Sequence, residues 1–377
     1  MMNLSNSDRM GLFDKLLMIN WGLVLVIVLL GGVGVALLYS AGGKSWDPWA
    51  KPQLIRLVPG LFMMLFIALI DIRVWLRIAY PLYFLMFFLL IVVEIMGHIG
   101  MGAQRWINLG FFVLQPSELM KPSLVLALAK YFHGLELEEI GHPVTLVIPA
   151  LMVLAPVGLI LLQPNLGTAV LLTAASIAIF WAAGVKWWKF ALGVAILAVI
   201  LPYGWEHLHD YQRARLMTFV NPEADPLGAG YNIIQSKIAL GSGGVWGRGF
   251  GMGTQSQLQF LPEKHTDFIF VVLSEEFGMV GALAVLFLYF ILFAYSYVIA
   301  LTARSQFSRL AAFGLGTTFF LYVFVNVAMV TGLIPVVGIP LPLISYGGTA
   351  MMTMLIGCGL LLSLSVHRET RISRTGL

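Results

Sequence analysis

Residues 257–281, QLQFLPEKHTDFIFVVLSEEFGMVG, bring Glu263, Asp267 and Glu275 together with Lys264 and His265 at the entry to an otherwise apolar stretch. Only 11% of the chain is charged, so this density is a local departure. Ionisable side chains at the edge of a bilayer are costly and persist where they serve a function. The chemistry on offer is acid–base work at a membrane surface. Asp267 could take a proton from a substrate hydroxyl if partial burial raised its pKa. A place at a helix start, capped by Thr266 or His265, would oppose that, because the helix dipole favours the carboxylate. The plainer reading of Asp267 is a solvated acid that only stabilises the helix. Glu263 and His265 stand beside it as substrate-facing candidates.

Glu118 and Lys121, in QPSELMK, are three residues apart and share a helix face. They read either as a structural ion pair or as a lysine for a substrate phosphate, oriented by the glutamate. In AQRWINLG, Arg105 suits a phosphate clamp and Trp106 an interfacial belt. Further on, Arg213, Arg215, Lys237 and Arg248 could hold a diphosphate or meet anionic headgroups. GRGFGMG (247–253) resembles a phosphate-cradling loop only superficially, since no strand precedes it. His207, His209 and Asp210 form a weak metal motif. Residues 326–350, NVAMVTGLIPVVGIPLPLISYGGTA, crowd prolines and glycines between two apolar runs. Such breaks at membrane depth line cavities or are covered by protein. Bent packing alone would account for the prolines, while Ser345 and Tyr346 could reach a polar substrate group.

The elements that must position these residues are transmembrane helices. With 59% hydrophobic residues and a mean hydropathy of +0.91 over 377 residues, the composition is that of an all-α polytopic membrane protein. The apolar runs are continuous, which excludes the alternation of a β-barrel. Runs at about 18–40, 54–70, 78–96, 117–133, 143–163, 166–184, 188–204, 269–303, 308–333 and 345–366 give ten candidate spans. The first is too long for a signal h-region, so no cleavable signal is expected. Lys and Arg favour the segments holding Arg73, Arg77, Lys186, Lys189, Arg304 and Arg309 over those holding Lys44, Lys51 and Arg56. That asymmetry places both termini in the cytoplasm and a long loop, about 205–268, outside. One membrane domain over 1–377 is expected, with the Gly-rich, amphipathic part of the loop against the membrane face. The run from 269 would be long enough to stand proud of the bilayer, with Gly278 and Gly281 allowing a bend. Cys358, the one cysteine, allows no intrachain disulfide. Basic residues are scattered, so no nucleic-acid surface forms.

The segment Asn326, Gly332-Leu333, Pro335, Gly338 and Leu343–Ala350 resembles the signature of the SEDS (shape, elongation, division and sporulation) family. AQRWINLG, QPSELMK, QPNLGTA (163–169), GYNIIQSKIALGSGG and LPEKHTDFIF extend the resemblance over nearly the whole chain. Length and a short N-terminus favour the elongation branch over the division branch. The resemblance implies ten helices and a peptidoglycan glycosyltransferase that polymerises lipid II outside the cytoplasmic membrane. It further implies a class B penicillin-binding protein as partner, beside other membrane proteins of the elongation machinery. Asp267 would be the essential residue and base, with Glu118, Lys121 and Lys237 also important.

On that reading Asp267 activates the acceptor hydroxyl, and cations such as Lys121, Lys237, Arg213, Arg215 or Arg248 steady the departing diphosphate. A divalent cation, Mg or Mn, remains an option, although no all-protein metal cage is visible. Two other classes stay open. A lipid II flippase or transporter would use Glu94, Glu118, Lys121 and the Pro/Gly breaks as a path. A non-catalytic scaffold would leave the acid-and-base cluster without a purpose.

Overall fold

Long apolar segments punctuated by caps and glycines set the architecture. The computed structural model describes residues 11–96, 98–100, 103–108, 110, 113–206, 213, 217, 231–257 and 263–373. Arg215, His207, His209 and Asp210 lie outside the described residues. Helices α1 (Leu12–Met18), α2 (Trp21–Ala41), α3 (Ala50–Leu69) and α4 (Ile72–Met96) lead into a small antiparallel sheet. Its strands β1 (His98–Gly100), β2 (Ala103–Asn108) and β3 (Val113–Leu114) pair in chain order, with Gly100 opposite Ala103 and Ile107 opposite Leu114. There follow α5 (Pro116–His133), α6 (Leu137–Ile140), α7 (Pro143–Leu162), α8 (Leu166–Ala183), α9 (Trp187–Glu206), α10 (Tyr231–Gly243) and α11 (Thr254–Gln257). The chain ends in α12 (Ile269–Thr302), α13 (Gln306–Val330) and α14 (Gly348–Val366).

Local sequence explains the helix limits. The side chains of Asn20, Asn165 and Ser305 accept backbone N–H groups of the first turns of α2, α8 and α13. Pro116 starts α5, and Gly184, at φ 110°, stops α8 in the left-handed region. Among the described residues, eight helices (α2, α3, α4, α7, α8, α12, α13 and α14) are long and apolar enough to cross a membrane. The chain is a multi-pass membrane protein. α5 carries Glu118, Lys121 and Lys130, yet most of its side chains are buried, because α4, α8, α13 and α14 surround it. A charged helix is tolerated there because it faces protein and not lipid.

The polar stretch after α9 is partly helical: α10 lies on α12 with Ile233, Ser236, Ala239 and Gly243 buried. In addition, α12 begins at Ile269 with Phe268 as its cap residue, so neither Thr266 nor His265 caps it. Thr266 instead bonds back to Glu263. The bend expected at Gly278 is present, with φ 64° and ψ −161° inside α12. A break of this kind strands backbone groups that the helix would otherwise pair. Residues 244–249 take them up: Met279 and Val280 donate to the carbonyls of Gly244 and Val245, while Arg248 and Gly249 donate to those of Glu275 and Glu276.

Candidate active site

A cavity of about 670 Å³ opens between the first turns of α5 and α8, the end of α13, and residues 263–267 and 337–340. Asp267, Glu263, Glu118, Arg105, Trp106 and Tyr322 line it together with apolar groups from α8 and the 337–340 segment. Asp267 is half-buried and does not belong to a helix. Its loop is held by three successive carbonyls. The Tyr346 N–H donates to the carbonyl of His265 at 2.8 Å, the Ser345 hydroxyl to that of Thr266 at 2.6 Å, and the Asn326 amide to that of Asp267 at 2.8 Å. The same Asn326 amide donates to the Ile339 carbonyl at 2.7 Å, so one buried side chain ties both cavity loops together. Gly338 sits at φ 73°, and a Cβ there would stand 3.4 Å from the Asp267 carboxylate.

On the opposite wall, Tyr322 donates its hydroxyl to Glu118 at 2.7 Å, and the Lys121 ammonium meets the other Glu118 oxygen at 2.5 Å. Lys121 also bonds Tyr322 and is 2% exposed. It stands behind Glu118, outside the cavity lining, with its charge spent inside the protein. The geometry favours the ion-pair reading of these two residues. Arg105 reaches from β2 to the carbonyls of Gln163, at 3.0 Å, and Pro164, which fixes the strand to the α7–α8 turn and sets a cation at the cavity wall.

The remaining candidates scatter for identifiable reasons. Ser345 is 4% exposed and uses its hydroxyl twice, donating to Thr266 and accepting from the Leu341 N–H at 2.7 Å. Its hydroxyl is taken up in holding the Asp267 loop, and Ser345 is not part of the cavity lining. His265 turns from the cavity and stacks on Trp49 with ring centroids 4.4 Å apart. Burial lowers its pKa, with Glu263, 4.0 Å away, opposing the shift. Lys237 is exposed on α10 beside Gly332, and Arg248 donates to the Ser242 carbonyl and the Thr254 hydroxyl. Neither lines the cavity, and the half-buried Arg213 is also outside it. Sequence reasoning missed Tyr322, whose phenol in an apolar run needed a partner. It also missed Glu276, buried and bonded to the Ser40 hydroxyl. Among the described residues, no group of three or more His, Cys, Asp or Glu could hold a metal ion.

A membrane-crossing helical bundle with a carboxylate-lined chamber at one end, closed by a broken Pro/Gly segment, defines a class of membrane protein that handles a polar group at one face. The model of the cell cycle protein family of FtsW, RodA and SpoVE matches residues 13–370. The chain belongs to that family, the SEDS family its motifs resemble. It is 41% identical over 353 residues to the peptidoglycan glycosyltransferase MrdB of Escherichia coli K12, covering 92% of this chain and 93% of the relative. Its fold is similar to a solved chain described in terms of the coordination of polymerization and crosslinking by a peptidoglycan synthase complex, with TM-score 0.80, 32% identity, and 94% and 99% of the two chains covered. It also resembles the Thermus thermophilus rod shape determining protein RodA, with TM-score 0.70, 30% identity, and 94% and 98% covered.

Proposed function

We propose that this chain is a peptidoglycan glycosyltransferase that polymerises lipid II into β-1,4-linked glycan on the outer face of the cytoplasmic membrane during cell elongation. The observation that carries the reading is Asp267, set on a clamped loop at the wall of a cavity shared with Glu118 and Arg105. Asp267 takes the proton from the acceptor GlcNAc 4-hydroxyl as that oxygen attacks C1 of the donor MurNAc. The new O–C1 bond forms while the C1–O–phosphate bond breaks, and its electron pair leaves on undecaprenyl diphosphate. One displacement inverts the carbon and gives the β linkage.

Arg105 supplies positive charge at the cavity wall for the departing group. Its hold on two backbone carbonyls keeps that charge in place before the substrate arrives. A divalent cation, if used, arrives with the diphosphate. The protein's partners are lipid II, membrane lipids, a class B penicillin-binding protein that cross-links the product, and other membrane proteins of the elongation machinery. The ionisable cavity residues gather at one end of the bundle, which supports chemistry at one face over a path for a flipped lipid.

The test is gel-resolved glycan from lipid II, using the purified chain with its transpeptidase partner blocked by a β-lactam. Polymer from this complex is the expected result. An intact, folded complex that yields none but moves lipid II across a bilayer would replace the reading with a flippase.

A further inference from the structure

Trp49, the cap residue of α3, and Gln53 and Arg56 within that helix lie four and three residues apart and pack against the back of the Asp267 loop. Lys264 and His265 turn toward them while Glu263 and Asp267 line the cavity. His265 stacks on Trp49, and the Lys264 ammonium stands 5.9 Å from the centre of the Trp49 ring. Arg56 sits 5.3 Å above the Tyr346 ring, beside Gly348. Tyr346 in turn lies 6.0 Å from His265. Two basic side chains, Arg56 and the buried Lys264, therefore lie among aromatic faces, with burial pushing the Lys264 ammonium below its ordinary pKa. No carboxylate pairs with Arg56 among the described residues. The Gln53 amide donates to the Ser345 carbonyl and leaves its buried oxygen without a hydrogen-bond partner.

This face differs in charge from the cavity, where Glu118, Glu263 and Asp267 stand against Arg105. Arg105 alone faces three carboxylates there, so a diphosphate other than the one departing at the cavity needs cations elsewhere. An arginine laid on an aromatic ring is weakly hydrated and suits the fork-like recognition of phosphate oxygens. Resting on the glycosyltransferase reading, we propose that Arg56 and Lys264, with Trp49 and Tyr346, form a second subsite that binds the diphosphate of a lipid-linked sugar. The Asp267 loop then lies between two substrate regions, with carboxylates toward one and cations toward the other.

The experiment compares the wild-type chain, Arg56→Gln and Arg56→Lys, each in complex with the transpeptidase partner, with farnesyl diphosphate as the binding probe. Loss of one charge-assisted contact should weaken probe binding in Arg56→Gln about tenfold and raise KM for lipid II by a similar factor. kcat should change far less, and Arg56→Lys should fall between the two. Phosphatidylglycerol should fail to displace the probe. Equal binding by wild type and both variants, at matched melting temperatures, would overturn the subsite. Displacement by phosphatidylglycerol as strong as by diphosphate would make it a headgroup site and also overturn the proposal. Absence of polymer from wild type, with probe binding still dependent on Arg56, would remove the glycosyltransferase reading and leave the diphosphate subsite standing.

Discussion

Replacing Asn326 with leucine keeps the size of the side chain and removes the amide that serves the carbonyls of Asp267 and Ile339. Asn326 is fully buried, so water cannot take over either bond. A buried polar group that loses its partner costs roughly 1–3 kcal/mol, so two carbonyls put the loss at about 2–6 kcal/mol. The Asn326 side-chain oxygen already lacks a partner, and its removal returns part of that cost. A net loss of about 2–4 kcal/mol follows. The cost can be relieved only by letting the 263–268 and 337–340 segments separate, which moves Asp267. A shift of about 1 Å in a reacting group can cost about a hundredfold in rate. The assay pairs thermal unfolding in detergent with the initial rate of glycan formation. Asn326→Leu should melt lower and turn over at least about tenfold more slowly, with KM little changed. Asn326→Asp, which sets a carboxylate against two carbonyls, should do no better. A leucine variant with wild-type melting and rate would refute the clamp.

Ser345→Ala removes the bonds to the Thr266 carbonyl and the Leu341 N–H, and should cost about 1–3 kcal/mol in unfolding free energy and lower kcat more than it raises KM. A rise in KM alone would return Ser345 to the substrate. Lys121→Met leaves Glu118 as a buried charge without its cation and should destabilise by about 3–5 kcal/mol, seen as lost yield and melting temperature. Glu118→Gln with Lys121→Met should recover most of that stability, because the stranded charge is gone. Burial holds the pKa of His265 below its ordinary 6.5. The unfolded chain then binds that proton more tightly, so stability is fully present above 6.5 and declines as pH falls below it. His265→Gln should flatten the dependence of melting temperature between about pH 7.5 and 5.5. An unchanged slope would assign that dependence to another group.

The helices were legible because apolar runs of span length have few alternatives, and Gly278 marked the break in α12. The Asp267 loop was legible because charge density at the entry to an apolar run is costly. What holds the loop was not. Asn326 and Ser345 reach it across 59 and 79 residues of chain, and they do so through backbone carbonyls, which carry no residue-type signal. Reading Ser345 as a substrate contact followed from its chemistry alone, and only packing shows its hydroxyl engaged with the backbone of two loops. Lys121 was ambiguous for a related reason: spacing gives the pairing with Glu118, while only packing shows that Tyr322 closes the other side. Arg248 and Lys237 looked equivalent to Arg105 as loop cations, and the fold brings only Arg105 to the cavity wall.

The most direct test of the central claim is the rate of glycan formation by Asp267→Asn, in a complex that matches wild type in melting temperature and in lipid II binding. Loss of a general base predicts a fall of about 10²–10⁴-fold in kcat, with binding nearly unchanged. A rate within about tenfold of wild type would contradict the account and place the proton transfer elsewhere in the cavity.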